Sequence, residues 1–199
     1  MSTTGLPRTP TDAAGHAPHR PGSDGYRRIM VAMFAAGMAT FVLLYDVQSL
    51  LPELVEAFAV SPTHATLALS LTTAALAVTL LVAGPLSEVV GRTRLIHLAL
   101  WSATAVALAC AVAPTWEVLL GLRMLQGVTL AGLPAVATAY LREELHPSAH
   151  GRAFGLYIGG TALGGMAGRL VTAPVADLAG WRWGLAAAAG FALVSAGLV

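Results

Sequence analysis

After residue 28 this chain is almost continuously apolar, and only short polar breaks divide it into six long runs. A hydrocarbon core about 30 Å thick takes roughly 20 apolar residues of α-helix to cross. Inside it every backbone polar group must be bonded within the protein, which leaves helices as the spanning element for runs of this length. The runs fall at about 29–51, 65–86, 95–113, 117–140, 153–176 and 183–199. The first five reach the crossing length. The sixth is still apolar at Val199, so the expected layout is a bundle truncated in or just after its sixth helix.

Composition narrows the function classes. The chain is 56% hydrophobic and 11% charged, against about 25% charge in a soluble domain. A net charge of +1 leaves no basic face for phosphates, which excludes nucleic acid as a partner. The single cysteine, Cys110, lies in the third run, so no intramolecular disulfide is possible. The histidines have no metal-ligand spacing, and no P-loop, G-x-S-x-G or paired His/Glu motif occurs. Catalytic residues, metal and cofactor are therefore not expected, and neither is an enzyme. Residues 1–28 are rich in Pro, Gly, Thr and Ser and lack apolar periodicity, which predicts a disordered tail. The run that follows is too long for a signal peptide.

Arginine alternates between the breaks. Arg8, Arg20, Arg27 and Arg28 precede the first run, Arg92 and Arg94 follow the second, and Arg142 and Arg152 follow the fourth. On the opposite side only Arg182 occurs, eight against one. The positive-inside rule then puts the N-terminus in the cytoplasm of a multi-pass protein of the cell membrane. Trp116, Trp181 and Trp183 would sit at the outer interface, and Tyr26, Tyr140 and Tyr157 near the inner one.

Two breaks look alike. Pro85, Glu88 and Gly91 recur as Pro174, Asp177 and Gly180, 89 residues on and at identical spacing. Each set follows the second helix of a three-helix unit. Three spans invert the next unit, and inverted repeats are a building rule of secondary transporters. The alternative is coincidence, since tight turns select Pro, Gly and acids.

Ionisable groups inside the membrane are functional candidates. Asp46 in the first run, Arg123 in the fourth and Arg169 in the fifth are placed by span direction in one depth layer of the outer half. A carboxylate beside a guanidinium stays ionised and one that loses its partner takes up a proton; a static ion pair between helices is the alternative. Gln48 and Gln126 read as cavity polar groups or as interhelical glue. Gly155, Gly159, Gly160, Gly164, Gly165 and Gly168 give the fifth run faces almost without side chains, suited to close packing or to sliding. Pro134 should bend the fourth run.

Taken together, these motifs resemble the major facilitator superfamily. Gly84-Pro-Leu86-Ser87-Glu88-Val-Val-Gly91-Arg92-Thr-Arg94 resembles its cytoplasmic signature loop, and Arg123, Gln126 and Gly127 its fourth-helix motif. Asp46 with Leu51-Pro52 looks like the first-helix acidic motif of the drug:proton antiporter branch, and Gly155–Leu170 is similar to the fifth helix of a group of inner-membrane transport proteins there. Two positions depart from the pattern: the loop acid is Glu88 followed by Val89, and Met166 stands where efflux antiporters carry proline after glycine.

The resemblance implies an all-α membrane protein, six transmembrane helices as two inverted three-helix repeats, forming half of a twelve-helix fold with the C-terminal half missing. It implies proton-coupled export of a small organic molecule. Asp46 and Arg123 would handle the proton, Gln48, Gln126 and Arg169 would line the cavity, and Gly84, Glu88, Gly91, Arg92 and Arg94 would form the cytoplasmic gate. The rival readings are an inactive or regulatory six-helix fragment and a half-transporter that works as a homodimer.

Overall fold

The computed structural model describes residues 18–199; the expected tail up to residue 17 lies outside the described residues. Helices α1 (Asp24–Tyr45), α2 (Leu51–Phe58), α3 (Pro62–Ala65), α4 (Leu67–Val90) and α5 (Arg92–Ala111) come first. Then follow α6 (Trp116–Leu130), α7 (Gly132–Glu144), α8 (His150–Ala179) and α9 (Trp181–Ala196), with 3-10 turns at Asp46–Ser49 and Pro147–Ala149.

Local chemistry sets these boundaries. The Ser23 hydroxyl accepts from the Tyr26 N–H at 3.2 Å, and Asp24 occupies the first turn. Cap and dipole both favour a start there, so residues 24–28 belong to the helix although the sequence assigns them to the tail. Proline marks the breaks in two of the rods. Pro134 has no N–H to donate to Leu130, and the rod breaks at Ala131, between α6 and α7, as the sequence predicts. Pro52 enters the first turn of α2 after the 3-10 turn, so the first rod extends beyond residue 51.

At the arginine-rich end, α4 passes into α5 and α8 is joined to α9 at the opposite end through one residue each. Gly91 (φ +93°) and Gly180 (φ +88°) hold nearly the same backbone conformation, one that side chains disfavour. Each follows an in-helix proline, Pro85 or Pro174, by six residues.

The most extensive pairings are α1 with α8, α4 with α6, and α5 with α9. Two apolar clusters form the core. One centres on Met33, Ala36, Val42, Leu43, Leu133 and Val136 toward the arginine-rich end. The other contains Val47, Leu50, Leu54, Leu119 and Leu185 toward the opposite end. There Phe58 lies between Trp116 and Trp181, its ring centroid 5.6 and 5.3 Å from theirs. Trp183, by contrast, is exposed.

Large apolar side chains also cover the outside: Leu81 is 79% exposed, Val89 87% and Leu178 89%. Such a surface is foreign to water and natural in hydrocarbon. By length and apolarity, four described segments suffice to cross a membrane: Asp24–Ser49, Pro62–Val90, Arg92–Ala111 and Trp116–Glu144.

Candidate functional site

Asp46 and Arg123 meet where the two apolar clusters join. α1 ends at Tyr45 and the chain tightens into the 3-10 turn at Asp46, and carbonyls in the last turn of a helix are the ones open to outside donors. Arg123, on α6, supplies such donors. Its Nη2 donates to the Leu44 carbonyl at 3.1 Å, and its Nη1 lies 3.4 Å from the Leu43 carbonyl. Nη1 also donates to Asp46 Oδ1 and to Gln126 Oε1, both at 2.8 Å. Nε donates to the Ala68 carbonyl of α4 at 3.1 Å. One guanidinium thus joins α1, α4 and α6, and its charge sits at the negative end of the α1 dipole.

The site is sealed. The Arg123 and Asp46 side chains are 0% and 1% exposed. Desolvating two charges costs more than a simple pairing returns unless the remaining donors and acceptors are satisfied. The backbone carbonyls perform that service here. Gln126 completes the layer, donating from Nε2 to the Leu43 carbonyl at 3.2 Å, and Cys110 Sγ lies 3.7 Å from Gln126 Oε1. From α8, the Thr172 hydroxyl lies 3.1 Å from the Asp46 carbonyl and 2.6 Å from Ser49 Oγ, fixing the turn from the other side. Gln48 Oε1 is buried with no hydrogen-bond partner among the described residues.

Arg169 stands at the depth of Tyr45 and Asp46 but outside the sealed pair. It is exposed, and its guanidinium lies over the Tyr45 ring at 5.5 Å. α8 turns Gly160, Gly164, Gly168 and Thr172 toward α1, and one residue is about 100° of helix rotation, so position 169 lies at the edge of the crossing, beside Tyr45. The same rotation sorts the glycines. A Cβ at Gly160 would lie 2.6 Å from the Phe34 carbonyl oxygen, and at Gly168 2.8 Å from that of Val42; at Gly164 it would meet the Met38 carbonyl. Gly165 faces the Tyr45 ring, while Gly155 and Gly159 have nothing within 4 Å of a Cβ position. Those two are not at the crossing.

At the arginine-rich end, Arg92 Nη2 pairs with Glu143 Oε1 of α7 at 2.9 Å. Glu88, the acid of the signature loop, is exposed beside them in the same polar groove, with Gly91 and Tyr140. Gly84 is half-buried and Arg94 exposed. Sequence reasoning missed Glu143, Thr172 and the carbonyl acceptors. Glu143 had a visible signal, an acid in the Arg142-Glu143-Glu144 break.

A bundle of apolar helices sealed around an intramembrane ion pair defines a multi-pass membrane protein. Its particular family is shown by comparison: residues 29–199 match the Major Facilitator Superfamily model, and the chain belongs to that family. It is 47% identical over 163 residues to the MFS-type transporter YybF of Bacillus subtilis, covering 82% of this chain and 40% of that protein. It is 43% identical over 175 residues to the inner membrane transport protein YnfM of Escherichia coli, covering 88% and 42%. With the efflux pump FUB11 of Gibberella moniliformis it shares 32% over 131 residues, 66% of this chain and 22% of that one. The chain thus spans about two fifths of the length of the first two relatives.

Proposed function

We propose that this chain is the N-terminal half of a proton-coupled secondary transporter of the drug:proton antiporter branch, exporting a small organic molecule by alternating access, with Asp46 carrying the proton. The observation that carries this reading is the sealed Asp46–Arg123 pair joining the first and fourth rods within the membrane. A proton on Asp46 removes the anionic partner of Arg123 and so releases one tie between those rods. The relatives' names, two as transporters and one as an efflux pump, are consistent with that role.

The architecture we infer is six spans in two inverted triplets. α8, at 30 residues, is about 45 Å long and easily reaches across; its glycines, Arg169 and Asp177 dilute its apolarity without removing its exposed Ile158, Met166 and Leu170. The shared conformation of Gly91 and Gly180 supports the repeat. So does the packing: exchanging the triplets maps the α1–α8 pair onto α6–α4, and these are the two most extensive pairings. The arginine distribution supports a cytoplasmic N-terminus.

A second reading is favoured by one observation. Arg123 is so fully bonded to backbone carbonyls that the pair also suits a static lock. Reconstitution of the full-length transporter with an imposed pH gradient separates the two. Under coupling, Asp46→Asn abolishes gradient-driven export while the protein still inserts and folds; transport at the wild-type rate would make Asp46 structural.

A further inference from the structure

We propose that the groove between the N-terminal ends of α1 and α8 binds a phospholipid with an anionic headgroup. The proposal rests on the reading above that both helices start at one membrane face. The groove encloses about 540 Å³, with Arg27 and Arg152 among its lining residues and Met30, Val31 and Leu156 forming apolar wall.

Charge is the first argument. Among the described residues Arg92 and Arg123 are ion-paired, whereas Arg27 and Arg152 enter no ion pair. Asp24 lies in the same first turn as Arg27 but does not bridge to it. Two uncompensated guanidiniums on different helices therefore border one cleft. Each can present a fork of donors to a phosphodiester, and both repel the cationic group of a zwitterionic lipid.

Depth is the second argument. Arg27 stands two residues before the apolar run opening at Ile29, and Arg152 immediately precedes the run opening at Ala153. Both guanidiniums thus lie at headgroup level with hydrocarbon beneath them. The third argument is shape. A Cβ at Gly155 would meet nothing within 4 Å, so the α8 wall is open where Met30 and Val31 of α1 face the cleft. Val31 remains 55% exposed. An acyl chain fills such a floor; a soluble phosphate would use the rim alone. Tyr26, buried at the same level, places its aromatic ring at the boundary where such rings settle. Basic pockets between spanning helices are the usual seats of anionic headgroups.

The test is native mass spectrometry of the purified full-length transporter with equimolar phosphatidylglycerol and phosphatidylcholine. Two arginines near an anionic headgroup predict about 30-fold preference for phosphatidylglycerol. The double variant Arg27→Gln/Arg152→Gln should lose that preference without changing helical content or melting. Gly155→Leu should fill the floor and release the lipid with both arginines intact. Equal retention of the two lipids, a preference that survives the double variant, or equal competition by inorganic phosphate would each overturn the proposal. Cysteines placed at Arg28 and Gly151 are labelled in parallel from each face. Labelling from opposite faces overturns the topology along with the site. Labelling from one face without lipid preference overturns the site alone.

Discussion

At the α1–α8 crossing, Gly160, Gly164 and Gly168 lie directly against the carbonyls of Phe34, Met38 and Val42. At the α4–α6 crossing a single glycine, Gly127, meets the Thr72 carbonyl, and one turn away Arg123 bonds to Ala68. Both crossings are close, yet they differ in where their directional bonds lie. A row of glycines every four residues against a row of carbonyls every four residues is held by shape and dispersion, and its directional bonds come at one end, from Thr172 to the turn after α1. A guanidinium aimed at named oxygens has one good register and loses its partners in any other. The α1–α8 contact therefore depends mainly on shape along its glycine row, and the α4–α6 contact on a buried guanidinium at its centre.

The strongest way to break this comparison is to remove the guanidinium tie. Arg123→Met strands Asp46 in a sealed layer and removes a donor from the Leu43, Leu44 and Ala68 carbonyls, and truncating one partner of a buried pair costs about 3–5 kcal/mol. The expected outcome is a large drop in melting temperature in detergent; a drop as small as a surface substitution gives would mean the layer is not sealed. Gly164→Val attacks the other crossing, where even a Cβ meets the Met38 backbone. Over-packing of that kind costs about 1–3 kcal/mol, with separation of α1 from α8 visible by spin-label distance. Gly91→Ala and Gly180→Ala should each cost about 1–3 kcal/mol, because both hold a backbone conformation nearly restricted to glycine. Matching losses sharpen the repeat, whereas unequal ones weaken it. The smallest effect is expected at Gly159, which has open space around it: Gly159→Ala should be neutral or stabilise by up to about 1 kcal/mol.

That last position marks where sequence reading ran out. The apolar runs were legible because membrane thickness dictates their length, and the break near Pro134 because proline lacks a donor. The meeting of Asp46 with Arg123 followed from opposite charges at one depth. Which glycines face α1 depends on helix rotation, and counting alone left six candidates. An unbroken four-residue series through 160, 164 and 168 was there to be seen, whereas the series through 155 and 159 stops at Leu163. Arg169 shares the depth read from the sequence, and only its exposure, one residue beyond the facing stripe, depends on that rotation. The carbonyls of Leu43, Leu44 and Ala68 left no trace in the sequence, since every residue type offers the same backbone acceptor. The Arg92–Glu143 tie was obscured because the signature loop directs attention to Glu88.

Cys110 gives the polar layer an intrinsic reporter. It is the chain's single cysteine, it is 1% exposed, and its sulfur lies 3.7 Å from the glutamine that shares Arg123 with Asp46. A thiol reagent carried by water can reach it only when water enters that layer. The rate of Cys110 alkylation in the unmodified protein is thus a clock for hydration of the ion pair, readable as pH or a candidate cargo is varied, with no engineered label.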